Sequence, residues 1–229
     1  HVGQALSQVF ILDPSPRAMR DYSQRSESLE ADGSNVAGVL LGLPQERRGA
    51  VTMRLTDAIR QLPESEIQRC WAEPVGKFES DAMLYCDEGS GREVDARGLS
   101  DGTLRLIAIV TALLIRPSGS LLVIEEVDNG LHPSRAKLLL SIIREIGSSR
   151  GVDVLVTTHN PALLDAMGTQ MVPFVVVSHR DADSGNSRLT LLEDVPGLAK
   201  LLAGGSLGDV ASSGALEQRL FDVSQYAAS

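Results

Sequence analysis

The chain of 229 residues is 43% hydrophobic and 22% charged, the composition of a folded globular protein and not of a disordered or fibrous one. Its formal net charge of -9 argues against a broad basic surface that grips phosphates, so nucleic acid would be met through a local patch, another segment or another subunit. No apolar run reaches the roughly 18 residues of a membrane span, and no signal or lipidation motif is present, which predicts a soluble, cytoplasmic protein with no membrane partner.

The first residue, His1, is not an initiator methionine, and a fragment or processed chain is expected. QVFILDPSP (8–16) reads as an apolar strand stopped by two prolines, followed by a short helix over 17–22. In LEADGSNVAGVLLGL (29–43) an Asp-Gly turn leads to Ser34 or Asn35, either of which could cap a helix from Val36. Helical spacing over 46–62 predicts a second helix ended before Pro63. IQRCWAEPV and FESDAMLYCDE, separated by Gly76, alternate with period two and predict a strand pair. Cys70 and Cys86 lie in different segments and fit no zinc or redox spacing. They are read as half-buried structural thiols in a reduced compartment.

Ser100 precedes an apolar helix over 103–115, stopped by Pro117. SLLVIEEV (120–127) and VDVLVTTH (152–159) read as buried strands around a helix over 134–146, and a short helix follows over 162–167. MVPFVVVSH (171–179) and RLTLLE (188–193) read as a third and a fourth strand. Apolar strands joined by helices predict an α/β fold, a mostly parallel sheet flanked by helices on both faces. The expected organisation is a connecting helical and β-meander region over 1–98, an α/β lobe over 99–197 and a small helical tail over 198–229.

Three stretches carry chemistry. In IEEVDNGLHP (124–133), Glu125 and Glu126 end an apolar strand. They could simply cap it and face solvent, or they could hold a divalent cation and polarise a water, since open parallel sheets bind ligands at the carboxyl ends of their strands. LSDGTLR (99–105) opens a helix with a serine hydroxyl and a glycine, which suits an anion, and equally an ordinary serine cap. VTTHN (156–160) ends a strand on His159, within reach of the same crevice if the two strands are neighbours. The Asp181 and Asp183 pair in HRDADSGNSR could suggest a nuclease metal site, but a polar hairpin turn accounts for it better. Trp71 and the three tyrosines offer no stacking platform for bases.

In order and spacing these stretches resemble the second half of ABC-type ATPases. LSDGTLR is similar to the signature loop, LLVIEE to the Walker B strand, NGLH to the D-loop and VTTHN to the switch-histidine strand. DPSP and DGSNVAGVL look similar to the connecting region of SMC-like bacterial ATPases, including those of phage-defence operons. The resemblance implies ATP and Mg²⁺ as ligands, Glu125 at the metal and Glu126 as catalytic base, with His159 sensing the γ-phosphate. It also implies that Ser100 and Gly102 contact the γ-phosphate held by an opposing subunit. Arg105 matches a signature-helix arginine, and Asn129 to His132 the D-loop. Glu125 stands where the wider family has aspartate, and His132 where many members have aspartate.

Neither GxxxxGKS nor GxxxxGKT, the loop that cradles the β- and γ-phosphates, occurs in the sequence. EGSGREVDARG (88–98) has glycines but no Gly-Lys-Ser/Thr and is rejected as that loop. The Walker A lobe is therefore expected on an upstream segment or a separate subunit, and the chain alone is expected not to hydrolyse ATP at a useful rate. Implied partners are a second ATPase head, as a homodimer or higher oligomer, and an effector nuclease, in DNA repair or antiphage defence. The alternative from another class is a non-catalytic, nucleotide-controlled assembly scaffold for such an effector.

Overall fold

The computed structural model describes residues 8–62, 67–89, 91–181 and 184–226. They divide into two units, His1–Thr158 and His159–Ser229. The first unit thus holds the LSDGTLR and IEEVDNGLHP stretches together with everything before them.

In the first unit, β1 (Val9–Leu12), β6 (Leu121–Ile124) and β7 (Asp153–Val156) form a parallel sheet in the order β1-β6-β7. The α/β reading therefore holds. Rows run straight across it: Leu12 pairs with Ile124 and Ile124 with Val156, while Ile11 pairs with Val123 and Val123 with Leu155. Alternation along each strand sends these rows to opposite faces. Leu12, Leu122 and Ile124 are sealed from solvent, whereas Ile11 and Leu155 on the other face are each 52% exposed. The expectation of a sheet covered on both faces, with β7 as a buried strand, is thus corrected. Its four residues alternate between exposed and half-buried, because successive side chains fall on opposite faces of the sheet and the face of Ile11 and Leu155 is the open one.

The covering helices are α4 (Asp101–Ile115) and α5 (Ala136–Arg150), which pack on each other and on β6 and β7 respectively. In α4 the residues 102–114 are buried all round, so this helix is the centre of the core and not an amphipathic surface helix. Each large apolar side chain sealed in this way contributes about 1.5–3 kcal/mol of burial. α5 ends on Gly151 at φ 63°, a left-handed cap that only glycine adopts without strain.

Before these come the single turn α1 (Pro16–Met19), the short strand β2 (Ser23–Gln24), and the helices α2 (Val36–Gly42) and α3 (Gln45–Arg60). Asn35 takes the N-cap position of α2 but does not cap it with its side chain. Its amide instead ties the preceding loop, accepting from the Glu30 N–H and donating to the Ser28 carbonyl, both at 2.9 Å. A Cβ on Gly38 would overlap the Gln24 carbonyl, so α2 lies directly on the backbone of the segment before it.

β3 (Arg69–Val75) and β4 (Asp81–Asp87) form the expected antiparallel pair. β2 and β5 (Glu93–Asp95) add to the free edge of β4. β5 falls in the glycine-containing stretch rejected above as a phosphate-binding loop, and its three residues leave no periodicity to detect. Cys70 and Cys86 are fully buried and not half-buried. They sit opposite each other across β3 and β4.

In the second unit, β8 (Val176–Arg180) and β9 (Ser187–Leu191) pair antiparallel with each other. The turn between them is the polar hairpin turn expected at Asp181. Asp181 accepts from the Ser184 N–H and hydroxyl and pairs with Arg188 at 2.9 Å, while Asp183 lies outside the described residues. Residues 169–174 form 3-10 turns and not the start of a strand, with Pro173 unable to donate to a ladder. The helices α6 (Pro161–Met167), α7 (Leu198–Gly204), α8 (Leu207–Ser212) and α9 (Ala215–Tyr226) complete the unit. Leu192, Val195, Leu198, Val210, Leu216 and Leu220 form its core.

Candidate functional site

β6 ends at Ile124, so Glu125 and Glu126 stand just past the strand, at its carboxyl end. The ladder continues around them. The Glu125 N–H donates to the Leu12 carbonyl at 3.1 Å and the Val127 N–H to the Thr157 carbonyl at 3.1 Å. Between these anchors the backbone inverts at Glu126, which has φ 43°. A non-glycine residue in this left-handed region costs of order 1 kcal/mol or more and persists only where its surroundings hold it.

Those surroundings are named groups. The Thr157 hydroxyl accepts from the Glu126 N–H at 3.0 Å, and Asn129 donates from its side-chain amide to the Glu126 carboxylate at 3.1 Å. Thr158 donates its hydroxyl to the Asp128 carboxylate at 2.6 Å, fastening the end of β7 to the turn. Both glutamates are exposed, and the Glu125 side chain makes no hydrogen bond or ion pair among the described residues. The two carboxylates therefore face outward with one oriented and the other free.

Ser100 is the N-cap of α4. Its hydroxyl accepts from the Thr103 N–H at 3.2 Å and lies 2.9 Å from the Thr103 hydroxyl. Gly102 is buried, and a Cβ there would stand 2.9 Å from Leu131 Cδ2 and 3.0 Å from the Gly130 carbonyl oxygen. The glycine thus lets residues 130–131 press onto the start of α4. Arg20, the residue that follows α1, clamps the same loop, donating to the Leu99 carbonyl at 2.8 Å and pairing with Asp101 at 2.7 Å.

Arg105 is buried one turn further along α4. Its Nη2 is 3.7 Å from the Asp13 carboxylate, and its Nη1 makes no hydrogen bond among the described residues. Asn129 and His132 are exposed, and His132 Nδ1 lies 2.8 Å from the Ser134 hydroxyl. His159 is also exposed and opens the second unit, beyond the end of β7 at Val156 and not on the strand itself.

Within the first unit Glu126 is thus joined to Asn129, and residues 130–131 of the same loop press on Gly102 at the start of α4. Sequence reasoning missed Thr157, Thr158 and Arg20. The two threonines stood inside the quoted VTTHN stretch, but their role depends on which strand lies beside β6. Among the described residues no group of three or more His, Cys, Asp or Glu side chains is placed to hold a metal. A cation here would thus rest on one or two carboxylates with a substrate's oxygens and water completing its shell, the habit of Mg²⁺.

Adjacent carboxylates thus stand at the carboxyl end of the central strand of a parallel sheet, the place where such sheets bind ligands. Residues 15–165 match the family described as "AAA domain, putative AbiEii toxin, Type IV TA system", and the chain belongs to that family. It is also 26% identical over 106 residues to the methionine import ATP-binding protein MetN of Clostridioides difficile (strain 630), a stretch covering 46% of this chain and 32% of that one. The chain thus spans about a third of the curated relative it matches.

Two solved structures are similar at lower identity. One, titled as the structural biochemistry of ATP-driven dimerization and DNA stimulated activation of SMC ATPases, is 13% identical with a TM-score of 0.45, covering 68% of this chain and 92% of that one. The other, an Smc head domain with a coiled coil and joint derived from Pyrococcus yayanosii, is 15% identical with a TM-score of 0.47, covering 69% and 30%. Among the described residues no helix is long and apolar enough to cross a membrane.

Proposed function

We propose that this chain is the signature-bearing half of an ATP hydrolase head that pairs with a second head around ATP. The observation that carries the reading is Glu126, held in a left-handed backbone by Thr157 with its carboxylate oriented by Asn129. Strain of this kind, maintained by several partners, marks a side chain aimed for use.

In this reading Glu126 accepts the proton of the attacking water. Glu125, without a side-chain partner among the described residues, would hold Mg²⁺, which would supply charge neutralisation to the phosphates of ATP. Ser100 and Gly102 meet the γ-phosphate of the nucleotide bound by the opposing head, and Arg105 anchors their helix to Asp13. Asn129 to His132 face that head, and His159 senses the γ-phosphate.

The phosphate-binding loop comes from a Walker A lobe outside this sequence. The half-open sheet supports that reading, since parallel sheets are normally buried on both faces and here the row Ile11, Val123 and Leu155 faces outward. Opening and closing of the paired heads would drive an effector, a nuclease being the proposed kind, in DNA repair or antiphage defence.

The test is Mg²⁺-dependent ATP hydrolysis by the complete protein, or by this chain mixed with the polypeptide bearing the loop. Glu126→Gln is expected to lower turnover about 10²–10⁴-fold, the contribution of a positioned general base, while ATP-induced pairing persists. Equal turnover in the wild type and Glu126→Gln removes the assignment of the base. Pairing without any turnover in the wild type makes the chain a nucleotide-controlled scaffold.

A further inference from the structure

Cys70 and Cys86 are partners across β3 and β4, both 0% exposed and both free thiols. The kind of pairing follows from Thr56 on α3. Its hydroxyl accepts from the Cys70 N–H at 3.1 Å and lies 3.3 Å from the Cys70 carbonyl, to which it donates. In an antiparallel strand the amide and carbonyl of one residue point to the same side. Both polar groups of Cys70 therefore point to α3 and away from β4.

The two cysteines consequently form a non-hydrogen-bonded pair, the closer of the two kinds, with Cα atoms about 4.5 Å apart and side chains side by side on one face. A disulfide requires a Cα separation of about 4.4–6.8 Å. A pair of this kind falls within that range.

We propose that Cys70 and Cys86 are an oxidisable dithiol that a peroxide closes to a disulfide, stapling β3 to β4. One thiol, as its thiolate, attacks a peroxide oxygen; the O–O bond breaks and the departing hydroxide takes a proton as water, leaving a sulfenic acid. The second thiol then attacks the sulfenic sulfur, the S–S bond forms and a second water leaves. Two electrons pass from the sulfurs to the peroxide.

The location gives the staple a consequence. β4 carries β5 on its other edge, with Cys86 opposite Val94, and residues 96–99 join β5 directly to Ser100. Stiffening β4 thus stiffens the support of the loop at the start of α4. Contact with the Cys86 sulfur, and then burial, push the Cys70 thiol well above the usual thiol range, so the reaction is slow at neutral pH and quickens as pH rises.

The experiment treats the native chain with hydrogen peroxide, blocks remaining thiols after denaturation and reads the mass and the digested peptides. The expected result is a loss of about 2 mass units with a Cys70–Cys86 cross-linked peptide, reversed by a dithiol reductant. The oxidised wild type is expected to unfold at a higher temperature than the reduced one, and Cys86→Ala to show neither change. Separate oxygen additions on each cysteine, a disulfide between chains, or thiols that close only in denaturant would each overturn the proposal. The cross-link is read on the wild type, so its outcome stands even where a cysteine variant fails to fold.

Discussion

Asn129 binds Glu126 twice, donating its side-chain amide to the carboxylate at 3.1 Å and its backbone amide to the carbonyl at 2.8 Å. The double bond to one residue closes a tight turn directly after β6 and sets both the path of the chain and the direction of the carboxylate. Asn129→Ala is therefore expected to lower turnover of the complete protein about tenfold, with little change in unfolding temperature, because the exposed side-chain bond orients Glu126 but contributes only about 1 kcal/mol to stability. A steady-state assay beside a thermal melt separates the two effects. Unchanged turnover would show that the carboxylate orients itself.

Glu126 also carries a stability prediction of the opposite sign. At φ 43° glycine is unstrained, and Glu126→Gly is expected to change stability by no more than about 1 kcal/mol, in the stabilising direction, while abolishing hydrolysis. Denaturant unfolding measures the gain. A clear loss of stability would mean that the carboxylate's contacts outweigh the backbone strain.

Gly102→Ala tests the packing of residues 130–131 on α4. The new methyl would meet Leu131 Cδ2 at 2.9 Å and the Gly130 carbonyl oxygen at 3.0 Å, and a carbonyl oxygen cannot yield as a side chain can. A destabilisation of about 1–3 kcal/mol is expected, read as a lower denaturant midpoint.

Thr56→Val keeps the volume of a buried side chain but removes the hydroxyl that serves both backbone groups of Cys70. With these left unpaired in the core, the expected cost is about 1–3 kcal/mol. A neutral result would show that the two groups find other partners.

Alkaline pH is expected to weaken the fold. The contact with Cys86 and burial raise the Cys70 thiol in the folded chain above its unfolded value of about 8.5. The stabilisation from the protonated thiol is therefore complete below that value and is lost as pH rises through the folded one. Denaturant midpoints measured from about pH 8 to about pH 10.5 should fall, and fall less in Cys70→Ala. Tyr85, whose phenol burial also raises, remains in the variant and leaves part of the slope. Equal slopes would assign the whole effect elsewhere.

The linear sequence by itself determined the α/β class, the strand pair around Gly76, the helix begun by Ser100 and the two glutamates after an apolar strand. Each of these is a local signal: hydrophobic period, a capping hydroxyl, a proline stop or a motif of adjacent residues. Only the tertiary structure decided that Thr157 would hold Glu126, that Gly102 makes room for residues 130–131 and not for solvent, and that Cys70 and Cys86 would face each other. These depend on which strands pair and in which register. β1 joins β6 across more than a hundred residues, and a one-residue slip between β3 and β4 would send the two sulfurs to opposite faces. Register is set by the packing of whole faces, a sum over many distant residues, so it cannot be read from any short stretch of the chain.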